Sequence, residues 1–214
     1  MRTSSPTLEA VRLHERTIGR LPRPWSTLAD WLVTIAIAVA VVLVVETEVA
    51  KPFQVPSSSM APTLHCAKPG VGCTGSSSDR VIACRICNRF GTPERGQIIV
   101  FETPPSVEDA CQSGGDVFVK RLIGLPGETI REDVDGNIWI DGKRLDEPYV
   151  SDIERAQDHK HAGQSWIVPE GEYFFMGDNR DDSCDSRDWG SVPRGNLIGP
   201  LVARYWPLDR VGFA

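Results

Sequence analysis

Three consecutive serines, Ser57, Ser58 and Ser59, stand in the stretch VPSSSMAPTL at residues 55–64. Serine linkers run longer and lack bulky apolar neighbours. Here Phe53, Val55, Met60 and Leu64 crowd both sides, the composition of a buried or wall-forming segment. A serine hydroxyl becomes a nucleophile only when a base takes its proton, and histidine is the usual base. The chain has His14, His65, His159 and His161. His14 falls in an arginine-rich N-terminal stretch, and His159 and His161 fall in the charged sequence AQDHKH. His65 is near Ser59 but has no evident Asp or Glu partner. A lysine can serve instead when it is neutral, and burial lowers its pKa. Lys120, in VFVKRLIGLPGE (117–128), has Phe118, Val119, Leu122 and Ile123 around it. To act at neutral pH it must fall about three units from ~10.4, and a carboxylate close by would raise it again. The pattern alone favours an exposed charge on the polar face of an alternating strand.

A second chemistry-bearing stretch is GDNRDDSCDSRDWG (177–190), which holds Ser183 among Asp178, Arg180, Asp181, Asp182, Asp185, Arg187 and Asp188. Its acidic run D-N-R-D-D-S from Asp178 suggests an oxygen-ligand Ca²⁺ loop. Arg180 and Arg187 would put positive charge among those ligands, and Ser183 stands where the loop glycine belongs. A solvated charged loop is the plain alternative. Cysteine supplies the third group: Cys66, Cys73, Cys84, Cys87, Cys111 and Cys184. Cys84-Arg-Ile-Cys87 has zinc-like spacing, but Cys66 and Cys73 are a C-x6-C pair and no second knuckle. A thioredoxin-like role for Cys84 and Cys87 needs a helix start after them, and DRVIACRI reads as strand.

These residues need elements to hold them. The chain has 214 residues and a net charge of −6, enough for one domain with an anchor. Its acidic balance argues against a nucleic-acid partner. From Trp31 to Val45 runs WLVTIAIAVAVVLVV, uncharged throughout. Extended to residues 28–50, it predicts a single transmembrane helix; some thirty residues precede the run and no small-x-small cleavage site follows it, against a cleaved leader. Arg2, Arg12, Arg16, Arg20 and Arg23 precede it, while Glu46 and Glu48 follow. Residues 1–27 are therefore expected to form a cytoplasmic arm, with residues 51–214 outside the cell, where disulfides persist. In that domain short apolar runs alternate with turns: strands are expected at 80–84, 96–101, 116–125 and 196–206, and a hairpin at 129–145 around Asp135-Gly136 and Asp141-Gly142. Residues 103–115 and 151–166 read as exposed loops. The predicted fold is mostly β, an antiparallel β-sheet catalytic domain behind one N-terminal helix.

The serine stretch, RGQIIVF (95–101), VFVKRLIGLPGE and the GDNR loop, in that order behind an anchor, resemble the bacterial type I signal peptidases. These are membrane-bound Ser/Lys proteases, and the resemblance covers residues 28–208. It implies Ser59 as nucleophile, Ser57 as an oxyanion-hole hydroxyl beside the Ser59 N–H, and Lys120 as general base. It also implies Ser183 as the hydroxyl that positions the lysine, with Asp178, Asp185 and Arg187 in support and Ser58 at a variable position. Phe53, Val55, Met60, Leu64, Phe118 and Val119 match walls that admit small residues at −1 and −3 of the cleaved peptide. The implied partners are signal peptides of exported preproteins, membrane lipid and the secretion machinery, with no cofactor and no metal. Gln97 and Phe118 depart from frequent family residues, and the four cysteines of 65–94 are unusual. Cys111 precedes the Lys120 strand and Cys184 lies in the polar loop, so a Cys111–Cys184 disulfide would clamp the two; Cys66–Cys73 is the second expected pair. Rival readings are a relative serving one dedicated partner and a non-catalytic membrane-anchored module.

Overall fold

The computed structural model describes residues 23–44, 48–111, 117–157 and 160–213. Most of the expected cytoplasmic arm (1–22), residues 45–47 of the expected anchor, residues 112–116 and His159 lie outside these. The chain divides into two compact units, 1–47 and 48–214.

In the first unit, α1 spans Arg23–Val44. Its apolar side chains, among them Leu28, Trp31, Leu32, Ile35, Ile37 and Val41, are exposed. Thr34 Oγ1 donates to the Asp30 carbonyl at 2.8 Å, so this polar side chain is satisfied within the helix. Among the described residues no helix is long and apolar enough to cross a membrane.

The second unit is built on antiparallel sheets. Its strands are β1 (Ala50–Gln54), β2 (Arg80–Cys84), β3 (Ile98–Glu102), β4 (Val117–Gly124), β5 (Thr129–Glu132), β6 (Ile138–Ile140), β7 (Lys143–Arg144), β8 (Ser165–Ile167), β9 (Glu172–Met176), β10 (Val192–Pro193), β11 (Leu197–Trp206) and β12 (Gly212–Phe213). One sheet runs β1-β2-β11-β3-β4-β9-β10 with β12 on β11; the other runs β7-β6-β5-β8. The expected hairpin is there, with Ile130 opposite Ile140. Period-two alternation sends Phe118, Lys120 and Leu122 to one face of β4. Across the ladder Ile99 faces Lys120 and Phe101 faces Phe118. That face joins the core of Ile99, Phe101, Leu122, Tyr173, Phe175 and Trp189, where Phe101 stacks on Phe175 at 4.5 Å between centroids. A second cluster joins Val55, Met60 and Leu64 to Val81, Ile98 and Leu201.

Strands β1, β8 and β9 are not among those expected, Ala50 falls in β1 and not in the expected helix, and three short helices also differ from expectation. The stretches read as loops contain short helices, α3 (Ser106–Cys111) and α4 (Asp152–Gln157). One buried residue, Val107, holds α3 to the core, too little apolar pattern to show in sequence. And a helix, α2 (Arg85–Phe90), begins directly after Cys84, where none was expected. Cys84 caps it, its sulfur accepting the Cys87 N–H at 3.2 Å, because a C-x-x-C spacing closes one helical turn.

Candidate active site

The serine turn is a 3₁₀ turn, Ser58–Met60, with Ser57 extended before it. Met60, Val55 and Leu64 are almost wholly buried and pin the turn to the core from both sides. The Ser57 hydroxyl makes no cap hydrogen bond. It lies 3.3 Å from Ser59 Oγ instead. The turn's carbonyls are held by the polar loop: Asn179 N–H donates to Ser59 O at 3.1 Å, and Asn179 Nδ2 donates to Ser58 O at 3.3 Å. Gly177 packs against the same spot. A β-carbon there would overlap Ser59 O and the Ser183 side chain, so the loop can approach the turn only with glycine.

Lys120 is 3% exposed, which excludes the solvent-facing charge that alternation favoured. Its Nζ donates to Ser183 Oγ at 3.0 Å and lies 5.7 Å from the centroid of the Phe118 ring. Burial pushes the amine down to about 8; Asp185, Asp178 and Asp182 pull it back up, and Arg187 pushes it down. The expectation that no carboxylate stands near is therefore corrected. Three do, and two of them are neutralised by arginine. Arg121 grips Asp178, Nε to Oδ1 at 2.8 Å and Nη2 to Oδ2 at 2.6 Å. Arg187 grips Asp185, Nε to Oδ1 at 2.9 Å and Nη2 to Oδ2 at 3.0 Å. Burial alone would raise Asp185, but the Arg187 charge and hydrogen bonds hold it well below the usual carboxylate range.

The loop that carries Ser183 is a buried network of charges. Asp185 caps α5 (Ser186–Trp189) in a capping box with Asp188. It also accepts the Gly177 N–H at 3.0 Å. Ser186 Oγ accepts from the Phe175 N–H at 2.9 Å, tying the helix to β9. Sequence reasoning missed the outer partners: Glu132 accepts from Arg187 at 3.2 Å, and Glu147 pairs with Arg180. Both carboxylates are buried and come from the β5–β8 sheet and its connection. The one available signal was physical: buried arginines demand carboxylates. These lie 55 and 33 residues away in sequence. The Ca²⁺ alternative fails here, since Asp178 and Asp185 are filled by guanidinium groups.

A cleft of about 510 Å³ brings together Ser57, Ser59, Lys120 and Ser183, walled by Val55, Met60, Phe118 and Val119. Phe53 and Leu64, expected in that wall, do not line it. Leu64 lies in the core cluster with Met60, and Phe53 packs against the same cluster from β1. Val71, Asp182 and the Cys111–Cys184 bridge complete the rim. No histidine lines the cleft among the described residues: His65 is exposed, and His161 pairs with Asp188 at 3.1 Å. The six cysteines form Cys66–Cys73, Cys84–Cys87 and Cys111–Cys184, which leaves no thiolate among them for zinc. Cys111–Cys184 ties the end of α3 to the residue after Ser183.

A family model described as signal peptidase, peptidase S26, matches residues 28–206. A signal peptidase I of Leptolyngbya laminosa is 37% identical over 191 residues, covering 89% of this chain and 86% of its own. A probable signal peptidase I-2 of Synechocystis is 38% identical, covering 88% and 76%. A signal peptidase I of Mycobacterium tuberculosis is 34% identical, covering 89% and 77%. The crystal structure of a signal peptidase I from Enterococcus faecalis is 36% identical, covers 52% of this chain and 97% of its own, and has a TM-score of 0.41. Serine, lysine and loop thus meet in one cleft within a stretch that matches the family from before the first strand to the end of β11, and the chain belongs to the signal peptidase, peptidase S26 family.

Proposed function

We propose that this serine endopeptidase, which removes signal peptides as its family does, works through Ser59 and Lys120. The observation that carries the assignment is a buried lysine, 3% exposed, hydrogen-bonded to Ser183 at 3.0 Å in the cleft that holds the Ser57–Ser59 pair. Neutral Lys120 takes the Ser59 proton as Oγ attacks the scissile carbonyl carbon. The oxyanion is met by the Ser57 hydroxyl and the Ser59 N–H. The lysinium then protonates the departing amine, leaving an ester on Ser59. Water, deprotonated by the regenerated amine, hydrolyses that ester. Ser183 Oγ orients the amine throughout. Val55, Met60, Phe118 and Val119 leave room for small side chains, which supports a preference for small residues at −1 and −3.

The same reading places the enzyme in a membrane. The exposed apolar side chains of α1 support an anchor over about 28–44 of the expected span, and three disulfides support an oxidising compartment for the peptidase domain. The arginines before the anchor support a cytoplasmic N-terminus. Its substrates are then presented at the bilayer by the secretion machinery, with membrane lipid as the second partner. Incubating detergent-solubilised protein with a preprotein, and mapping the cut by mass spectrometry, tests the reaction. Ser59→Ala must be inactive there while keeping the wild-type unfolding temperature; activity in Ser59→Ala refutes the nucleophile. Protease added to spheroplasts should degrade residues after about 50 and spare the arm.

A further inference from the structure

Ser58, the middle serine, is 7% exposed and takes no part in the reaction, yet it has the most partners of the three. Its Oγ touches Asp182 Oδ2 and lies 3.2 Å from the Val71 carbonyl oxygen. A hydroxyl has one proton to give, and an ionised carboxylate is the stronger acceptor, so the proton goes to Asp182. Val71 O is served by the Ser58 N–H at 3.2 Å. On the third side is Gly72, at φ +68°, where a β-carbon would overlap both Ser58 Oγ and Asp182 Oδ2. Gly70 comes as close to the Pro56 carbonyl. Both glycines lie in the loop closed by Cys66–Cys73, whose sulfurs are buried in one cluster with Val55 and Met60. Two segments far apart in sequence thus converge on the residue covalently joined to Ser57 and Ser59.

We propose that Asp182 is a positioning residue for peptide hydrolysis: through Ser58, and against Gly72 of the disulfide-closed loop, it latches the turn that presents Ser59. The proposal rests on the reading of Ser59 as nucleophile. Asp182 touches no reacting atom. Without the latch the turn keeps its Asn179 contacts but samples more orientations, and fewer of them aim Oγ at the carbonyl. Substrate still meets the same walls, so the loss falls on kcat.

The test measures kcat and KM across pH for the full chain in detergent with a preprotein substrate. Asp182 is exposed, so its variants keep the fold. Asp182→Ala and Ser58→Ala should each lower kcat about tenfold, with KM changed less than about twofold. The double variant S58A/D182A should be no slower than the slower single, because both break one contact. Asp182→Asn, whose amide oxygen still accepts the Ser58 proton, should keep at least roughly a third of the wild-type kcat. Both Asp182 variants should also move the acid limb of kcat/KM to lower pH, since that carboxylate pulls Lys120 upward; Ser58→Ala should leave the limb in place. Multiplying losses in the double variant, full kcat in Ser58→Ala, or an Asn variant as slow as the Ala variant would overturn the latch. Ser59→Ala in the same assay separates the two ideas: cleavage there removes the nucleophile reading itself.

Discussion

Lys120→Met removes an amine from a site 3% exposed and fills nearly the same volume with an apolar chain. Burial brings Lys120 from 10.5 to about 8. At about 1.4 kcal/mol per unit, keeping this group charged inside the fold costs roughly 3 kcal/mol. The variant loses the hydrogen bond to Ser183 Oγ, 3.0 Å long in the parent, which offsets about 1 kcal/mol. A net gain of about 2 kcal/mol at pH 7 raises the unfolding temperature by roughly 4–8 °C for a domain this size. The pH dependence is specific. Unfolded lysine holds its proton to about 10.5 and the folded one only to about 8. Between those values unfolding takes up a proton, so the parent gains stability as pH climbs through the window. Below about 8 the penalty is fully present. The advantage of Lys120→Met should therefore be complete at pH 7, shrink above 8 and vanish near 10.5. Thermal unfolding of both proteins at pH 7 and pH 9.5, disulfides oxidised, measures it. A variant less stable than the parent at pH 7, or a difference that ignores pH, refutes the buried neutral amine whatever its catalytic role.

Catalysis should follow the same titration: kcat/KM rises with pH on a limb near 8, because only the neutral amine accepts the Ser59 proton, and Lys120→Arg is inactive because arginine cannot be deprotonated in this range. Substantial cleavage by Lys120→Arg would make Lys120 an electrostatic residue only. Ser57→Ala should cut kcat by about a hundredfold with KM little changed, the loss typical of one oxyanion donor; an unchanged turnover number would remove Ser57 from the hole. Glu147→Ala leaves Arg180, 3% exposed, without its buried partner carboxylate. That should cost about 3–5 kcal/mol of stability, read as a lower unfolding temperature, and a shift under 1 °C would contradict the pairing.

What could be read from the sequence was contiguous in it. The serine turn, the apolar flanks of Lys120 and the strands at 80–84 and 196–206 each lie within one short segment, where spacing and apolar pattern carry the information. What could not be read was non-local or too small to have a pattern. Glu132 and Glu147 look like any surface acid until the second sheet brings them against Arg187 and Arg180. The start of α2 was hidden because its cap is a sulfur, and cap signatures are written for oxygen side chains. Leu64 was apolar and near the serines, but one-dimensional nearness does not say which side of the turn a side chain takes; the core claimed it.

Lys120, on β4, faces the acidic 177–190 loop, and proximity to Asp178, Asp182 and Asp185 ought to keep it protonated. The arrangement avoids this by pairing. Asp178 is matched by Arg121 and Asp185 by Arg187, while Glu147 and Glu132 balance Arg180 and Arg187 from the outside. What Lys120 meets is then mostly dipoles of opposed charges, whose field falls off faster than that of a free carboxylate, so desolvation by Phe118, Ile99 and Leu122 decides the outcome. Arg121 of β4 and Arg187 of the polar loop thus do more than brace the backbone around Ser183. They cancel the acids on which the loop's own capping box and tight turns depend, and so let a carboxylate-rich scaffold hold an amine that sheds its proton near pH 8.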